Sequence, residues 1–201
     1  MSTTDEDWKE PHRISFRGSL QFFSNEGKFT REKWVVRQLL IAIAVSFEDS
    51  DFEPADEPVD VSFHDARFQV KELMKDGRRR HDELRQTLAD LEMAESYEDL
   101  LETYAPKDIT FFDVVEFTIA KAELLETEKY GPSECASMDL LCYFNWLDYS
   151  IVPPTDFRAF ESSFRSVSVV TNTYCAVLRA SPSAPNFLQK CAGRTFSNNA
   201  R

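Results

Sequence analysis

Residues 58–72 read PVDVSFHDARFQVKE, and their alternation sets how the middle of the chain must fold. Val59, Val61 and Phe63 take one parity of a first strand, while Asp60, Ser62 and His64 take the other. Successive side chains on a strand point to opposite faces, so each parity is a face. Ala66, Phe68 and Val70 then form the apolar side of a second strand, with Arg67, Gln69 and Lys71 on its polar side. A loop centred on Asp65-Ala66 pairs His64 with Arg67, Ser62 with Gln69 and Asp60 with Lys71. That register superimposes the apolar sides, and a one-residue slip would scramble them. Opposed Cβ atoms in such pairs lie about 4.5–5.5 Å apart, which brings Asp60 within reach of Gln69 and Lys71.

A carboxylate, an amide and an ammonium on one small β-surface suit a divalent cation and a water held beside a phosphate ester. Asp60 supplies a hard anionic oxygen for Mg²⁺ or Mn²⁺. The Gln69 carbonyl oxygen adds a ligand without adding charge. Lys71 beside them can hold the attacking water and stabilise the charge that develops on phosphorus-bound oxygens. The ordinary alternative is an amphipathic hairpin with a solvated polar face, on which Asp60 and Lys71 form a surface ion pair. A second carboxylate, Glu32, precedes Val36, Leu39 and Ile43 by four, seven and eleven residues, next to the apolar stripe that must face the sheet. Its alternative is an ordinary pairing with Arg31 or Lys33 near the helix start.

Outward from the hairpin, Val35, Val36, Leu39, Leu40 and Ile43 predict an amphipathic helix within residues 20–45. Residues 46–57 are acidic and carry Pro54, and a short strand near their start followed by a loop is expected. Downstream, Gly77 precedes a helix over residues 79–95 striped with Leu84, Leu88 and Leu91. Another helix covers residues 111–128 and buries Val114, Val115, Thr118, Ile119 and Ala122, with Gly131-Pro132 as its stop. Residues 139–146, DLLCYFNW, are a continuous apolar run suited to a buried central strand. Residues 153–156 read as a turn that caps a short helix reaching residue 164. Residues 167–180 read as one further strand, and residues 186–191 as a short helix. The plan is α/β, a mixed central sheet flanked by helices. Strands close in sequence should be antiparallel, and those separated by helices can be parallel. Residues 1–18 are expected as a flexible acidic lead-in, residues 19–193 as a single domain and residues 194–201 as a tail.

Composition narrows the classes. Hydrophobic residues at 42% and 17 phenylalanines supply a core in a chain of 201 residues. No run of about 18 apolar residues exists, so a membrane helix is excluded. Cys135, Cys142, Cys175 and Cys191 show no metal-ligand spacing and read as buried reduced thiols, which implies a cytoplasmic setting. The net charge of −12 opposes general attraction to nucleic acid, although it does not govern a local site. Arg78, Arg79 and Arg80, just beyond Lys71, are the candidate phosphate contacts, with Asp82 and Glu83 as the competing partners. Trp34 and Trp146 read as core residues.

Pro58-Val59-Asp60, followed after eight residues by Gln69-Val70-Lys71, resembles the signature of the restriction-endonuclease-like PD-(D/E)xK superfamily in its D…QxK form. REKWVVRQLL, EPVDVSFHDARFQVKELM, GRRRHDELR and SVSVV further resemble an uncharacterised bacterial family of unknown function that carries an endonuclease label, DUF1780. The resemblance covers residues 20–193. It implies a core of helix, three strands, helix and strand. It also implies a metal-dependent nuclease, a hydrolase of phosphodiester bonds, with Asp60, Gln69 and Lys71 as the central residues, Glu32 as a helix-borne ligand, and Mg²⁺ or Mn²⁺ as cofactor. Gln69 stands where the superfamily pattern has an acidic residue, which removes one anionic ligand. Either one metal is held weakly, or Glu32 compensates, or catalysis has been lost. In the last case the chain is a binding or assembly module, and its acidic surface suits a basic protein partner. A small-molecule hydrolase has no nucleophile–base pair to support it.

Overall fold

The computed structural model describes residues 8–24, 26–74, 80–96, 98–100, 107–144, 146, 149–153 and 159–198. In chain order the first elements are α1 (Lys9–Phe22), α2 (Lys28–Ala42), β1 (Phe52–Pro54), β2 (Val61–Phe63) and β3 (Ala66–Leu73). Then come α3 (Arg80–Met93), β4 (Lys107–Thr110), α4 (Phe111–Leu125), a π-helical turn (Glu126–Tyr130) and α5 (Gly131–Cys135). β5 (Asp139–Phe144), β6 (Tyr149–Val152), β7 (Ser166–Val170), β8 (Tyr174–Ala180), α6 (Asn186–Gln189) and β9 (Arg194–Ser197) complete the series. Among the described residues no helix is long and apolar enough to cross a membrane.

The chain forms two compact units: residues 1–31 with 75–105, and residues 32–74 with 106–201. The division is discontinuous in sequence and passes through α2, so no linker composition marks it. In the first unit α1 and α3 are joined by Arg13, whose Nε and Nη2 donate to Glu92 at 2.8 and 2.5 Å, while Lys9 Nζ reaches the Glu92 carbonyl at 3.2 Å. Arg13 holds the Glu92 carboxyl below its usual range. α1 lies largely inside the stretch expected as a flexible lead-in. It contains two poor helix formers, Pro11 and Gly18. Pro11 falls in the first turn, where its missing N–H costs nothing.

The second unit is built on a mixed sheet. Among the described residues its strand order is β1-β2-β3-β5-β7-β8-β9. β1, β2 and β3 are antiparallel neighbours; β5 runs parallel to β3 and to β7; β8 and β9 return antiparallel. β5, buried at every position, is the central strand its composition predicts. α4 buries Phe111, Val114, Val115, Thr118, Ile119, Ala122 and Leu125 against a core that includes Leu140, Cys142, Phe144, Val167 and Val169. β4 and β6 pair separately as a short parallel ribbon that sequence reading did not anticipate.

Three further expectations are corrected. The strand in the acidic segment lies at its far end, in β1, after a 3-10 turn at Asp49–Asp51. Residues 167–180 form a hairpin instead of one strand. Thr171 Oγ1 accepts from the N–H groups of Thr173 and Tyr174 at 3.2 and 2.9 Å, and this side-chain turn reverses the chain between β7 and β8. Residues 194–197, expected as tail, are β9, paired to β8. The cap at residues 153–156 falls largely outside the described residues. Trp34 is 37% exposed and meets Tyr143 only by its edge, whereas Trp146 packs on the core and donates Nε1–H to the Leu73 carbonyl at 2.8 Å. All four cysteines are buried free thiols.

Candidate functional site

The β2–β3 hairpin turns tightly at His64-Asp65, with Phe63 opposite Ala66 and Ser62 opposite Arg67. His64 adopts φ +50°, a left-handed conformation that histidine enters more readily than most residues. The expected register is therefore wrong by two residues. An even slip preserves parity, so the faces of β2 and β3 remain as read while the opposed partners change, and Val59, ahead of β2, packs in the core beneath α4. Asp60 comes level with Phe68 and Gln69, and its backbone N–H donates to the Phe68 carbonyl at 2.8 Å.

Asp60, Gln69 and Lys71 meet at a single oxygen. Asp60 Oδ2 accepts from Gln69 Nε2 and from the Val70 N–H at 2.9 Å, with Lys71 Nζ at 3.8 Å. The Asp60 side chain is 2% exposed and Gln69 is 1% exposed, while the Lys71 side chain keeps 26% of its surface. A carboxylate so deeply buried is tolerated because the Gln69 amide and the Val70 N–H replace its lost hydration, with the Lys71 ammonium as counter-charge. Lys71 presents its ammonium at the boundary between this polar cluster and solvent.

The other end of the Gln69 amide is also engaged, by a residue that sequence reading missed. After α4 the helix widens into the π-helical turn, which ends at Gly131 with φ +71°. Insertions of this kind re-aim side chains at a helix end and are frequent at functional sites. Here the turn points Tyr130 Oη at the sheet, where it donates to Gln69 Oε1. Lys129 lies over the Tyr130 ring at 4.8 Å. Its ammonium is held above the ordinary lysine value, first by the Tyr130 hydroxyl and then by the Glu57 and Asp60 carboxylates. No motif links Tyr130 to a hairpin 61 residues earlier; the available signal was a polar end on an apolar helix.

Glu32 is buried on α2, as its place beside the apolar stripe predicts. That stripe faces the sheet, but topology decides which side. Trp34 of α2 touches Tyr143, ring centroids 5.4 Å apart, and Tyr143 pairs with Glu72. Residues paired in register share a face, so α2 covers the side carrying Glu72 and Tyr143. Gln69 and Lys71 have the opposite parity and pair with Leu140 and Cys142, the side covered by α4. Glu32 stands on α2, the helix of that other side, whereas Gln69 and Lys71 turn toward the side of α4. Among the described residues, no group of three or more His, Cys, Asp or Glu side chains is placed to hold a metal ion. Arg78 and Arg79 and the side chain of Arg80 lie outside the described residues.

A second charged cluster stands at the start of β5. Asp139, fully buried, accepts from Arg165 Nε at 3.1 Å, Ser166 Oγ at 2.8 Å and the Arg67 N–H at 2.9 Å, and Arg165 Nη2 also donates to it. Arg165 continues to the Asp65 carbonyl at 2.9 Å. This network ties the turn of the β2–β3 hairpin to the start of β5 and of β7, which fixes the hairpin that carries Asp60.

A family model described as "Putative endonuclease, protein of unknown function (DUF1780)" matches residues 4–200. The chain belongs to this family. The DUF1780 match extends beyond both ends of the stretch over which the resemblance was read. A solved structure of a protein of unknown function from Pseudomonas aeruginosa strain PAO1, described as of the monooxygenase superfamily, is similar over 98% of this chain and 96% of that chain. It is 22% identical with a TM-score of 0.62, a likeness of fold. No curated protein matches the chain.

Proposed function

We propose that the chain is a metal-dependent nuclease that hydrolyses phosphodiester bonds, built on the PD-(D/E)xK plan in its D…QxK form. One observation carries the reading: Gln69 and Lys71, alternate residues of β3, both turn to the buried Asp60 carboxylate. The order α2, β1, β2, β3, α4, β5, interrupted by α3 and β4 before α4 and by α5 after it, with β5 parallel to β3, supports it, as does the endonuclease description of the family.

The donor set fits one weakly held Mg²⁺ or Mn²⁺, because such ions are commonly bound by one or two carboxylates with water and substrate phosphate completing the shell. Asp60 would hold the ion with its carboxylate, and Gln69 would join through its amide oxygen. When bound, the ion supplies Lewis-acid activation of water and neutralises charge on the phosphate. The chain's own residues do the rest. Lys71 orients the water and stabilises charge on the non-bridging oxygens. Lys129, beside Tyr130, contacts a flanking phosphate. Glu32, on α2, is left out of the shell.

The test is cleavage of single- and double-stranded DNA and of RNA with Mg²⁺ or Mn²⁺. Activity is expected in the wild type and lost in Asp60→Ala and Lys71→Ala. Glu32→Gln should bind metal like the wild type. A wild-type protein that neither takes up metal in calorimetry nor cleaves any of these substrates removes the enzyme reading. A second reading then stands, a silent nuclease fold that binds a basic protein partner. It is favoured by the Gln69 amide, which serves Asp60 as a donor, and by the net charge of −12.

A further inference from the structure

The Gln69 amide is buried between two groups of different hydrogen-bonding character. On one side stands the Asp60 carboxylate, which when ionised can only accept. On the other stands the Tyr130 hydroxyl, which can donate or accept. In the structure the amide nitrogen serves Asp60 and the amide oxygen takes the Tyr130 proton. A cation on the Asp60 carboxylate reverses the demand: the amide oxygen must face the cation, and the amide nitrogen must find an acceptor elsewhere. A phenol meets both demands by rotating its proton. A phenylalanine meets neither, and a carboxylate or ammonium at that place meets only one.

We propose that Tyr130 is the positioning residue of this site, holding the Gln69 amide in whichever of its two orientations the charge at Asp60 requires. The inference rests on the metal-binding reading for one of those orientations and on the observed contacts for the other. The side chain that replaces an acidic residue at position 69 is thereby usable as a metal ligand, because Tyr130 keeps its nitrogen satisfied when its oxygen turns. The π-helical turn is what brings Tyr130 there, since it re-aims the end of α4 toward β3.

The test follows the Gln69 side-chain amide by NMR, assigned through its loss in Gln69→Met, during titration with MgCl₂ alone. In the wild type the amide protons should exchange slowly with solvent and shift as Mg²⁺ binds. In Tyr130→Phe their exchange should accelerate about tenfold and Mg²⁺ should bind about tenfold more weakly, the scale of one lost hydrogen bond. Unchanged amide exchange in a folded Tyr130→Phe protein overturns the proposal, whatever the metal does. If the wild type takes up no Mg²⁺ but Tyr130→Phe still frees the amide, the nuclease reading falls and the orienting role stands. Replacing Tyr130 by fluorotyrosine keeps the hydroxyl and guards against misfolding. Its fluorine signal should move as Mg²⁺ saturates the site, and a signal that stays fixed while Mg²⁺ binds also overturns the proposal.

Discussion

Two buried aspartates in the second unit, Asp139 and Asp60, sit in charge pairs of unequal expected weight. Asp139 is held by Arg165, Ser166 and the backbone of Arg67, and its loss would leave the Arg165 guanidinium without its counter-charge. Asp139→Ala should cost about 3–5 kcal/mol in urea unfolding, the usual scale for breaking a buried charge pair. A loss under about 1 kcal/mol would mean that the cluster contributes little to the hairpin's anchorage. Lys71 sits 3.8 Å from Asp60 with a quarter of its side chain in water, so Lys71→Ala should cost no more than about 1 kcal/mol. The comparison separates a structural charge cluster from a candidate functional one by stability alone. At this scale the sequence revealed a shared face for Asp60, Gln69 and Lys71, because parity is local. It did not reveal the register, which the tight His64-Asp65 turn decides, or the approach of Tyr130.

α4 is fixed at both ends by side chains. Thr110 Oγ1 accepts from the Asp113 N–H at 3.1 Å, and the Asp113 carboxylate accepts from the Thr110 N–H at 3.1 Å, a reciprocal capping box. Thr110→Ala should destabilise the second unit by about 1 kcal/mol in chemical denaturation. At the far end Glu126 takes Ser163 Oγ at 2.5 Å and the Ser163 N–H at 3.0 Å, where the π-helical turn begins. Those bonds hold the Glu126 carboxyl below its usual value of 4.5. A carboxyl with a lowered folded-state value binds its proton more readily when unfolded. Its contribution is therefore complete above the ordinary value and lost as pH falls below it toward the folded one. Glu126→Gln should lower stability at neutral pH and show a shallower loss of stability on acidification. Parallel unfolding curves for variant and wild type between about pH 6 and pH 3 would exclude this linkage. The apolar stripe of α4 was readable from spacing, but the π-helical turn was not. It is a local irregularity at Glu126–Tyr130, set by what the helix end meets on the sheet.

For the molecule as a whole, thiol burial makes a prediction of its own. Burial pushes the Cys142 and Cys175 thiols up to about 12 and Cys135 to about 11. DTNB at about pH 8 should therefore react slowly with the native protein and rapidly after denaturation, since the thiolate is the reactive species. A fast native reaction of three or more of the four thiols would contradict the packing of β5 or β8.

What the sequence determined by itself was everything that repeats over a few residues. Strand parity in 58–72 defined the faces, three- and four-residue spacing defined α2 and α4, and the apolar run of 139–146 defined the central strand. These patterns are set by each element's own geometry and by the need to bury one side of it. Tertiary structure decided the remainder: the division into two units, the face that α2 covers and hence the side whose helix carries Glu32, and the meeting of Tyr130 with Gln69. Each depends on which distant segments share a boundary. The free energy that selects such contacts arises only when both surfaces are present, and no local spacing encodes it.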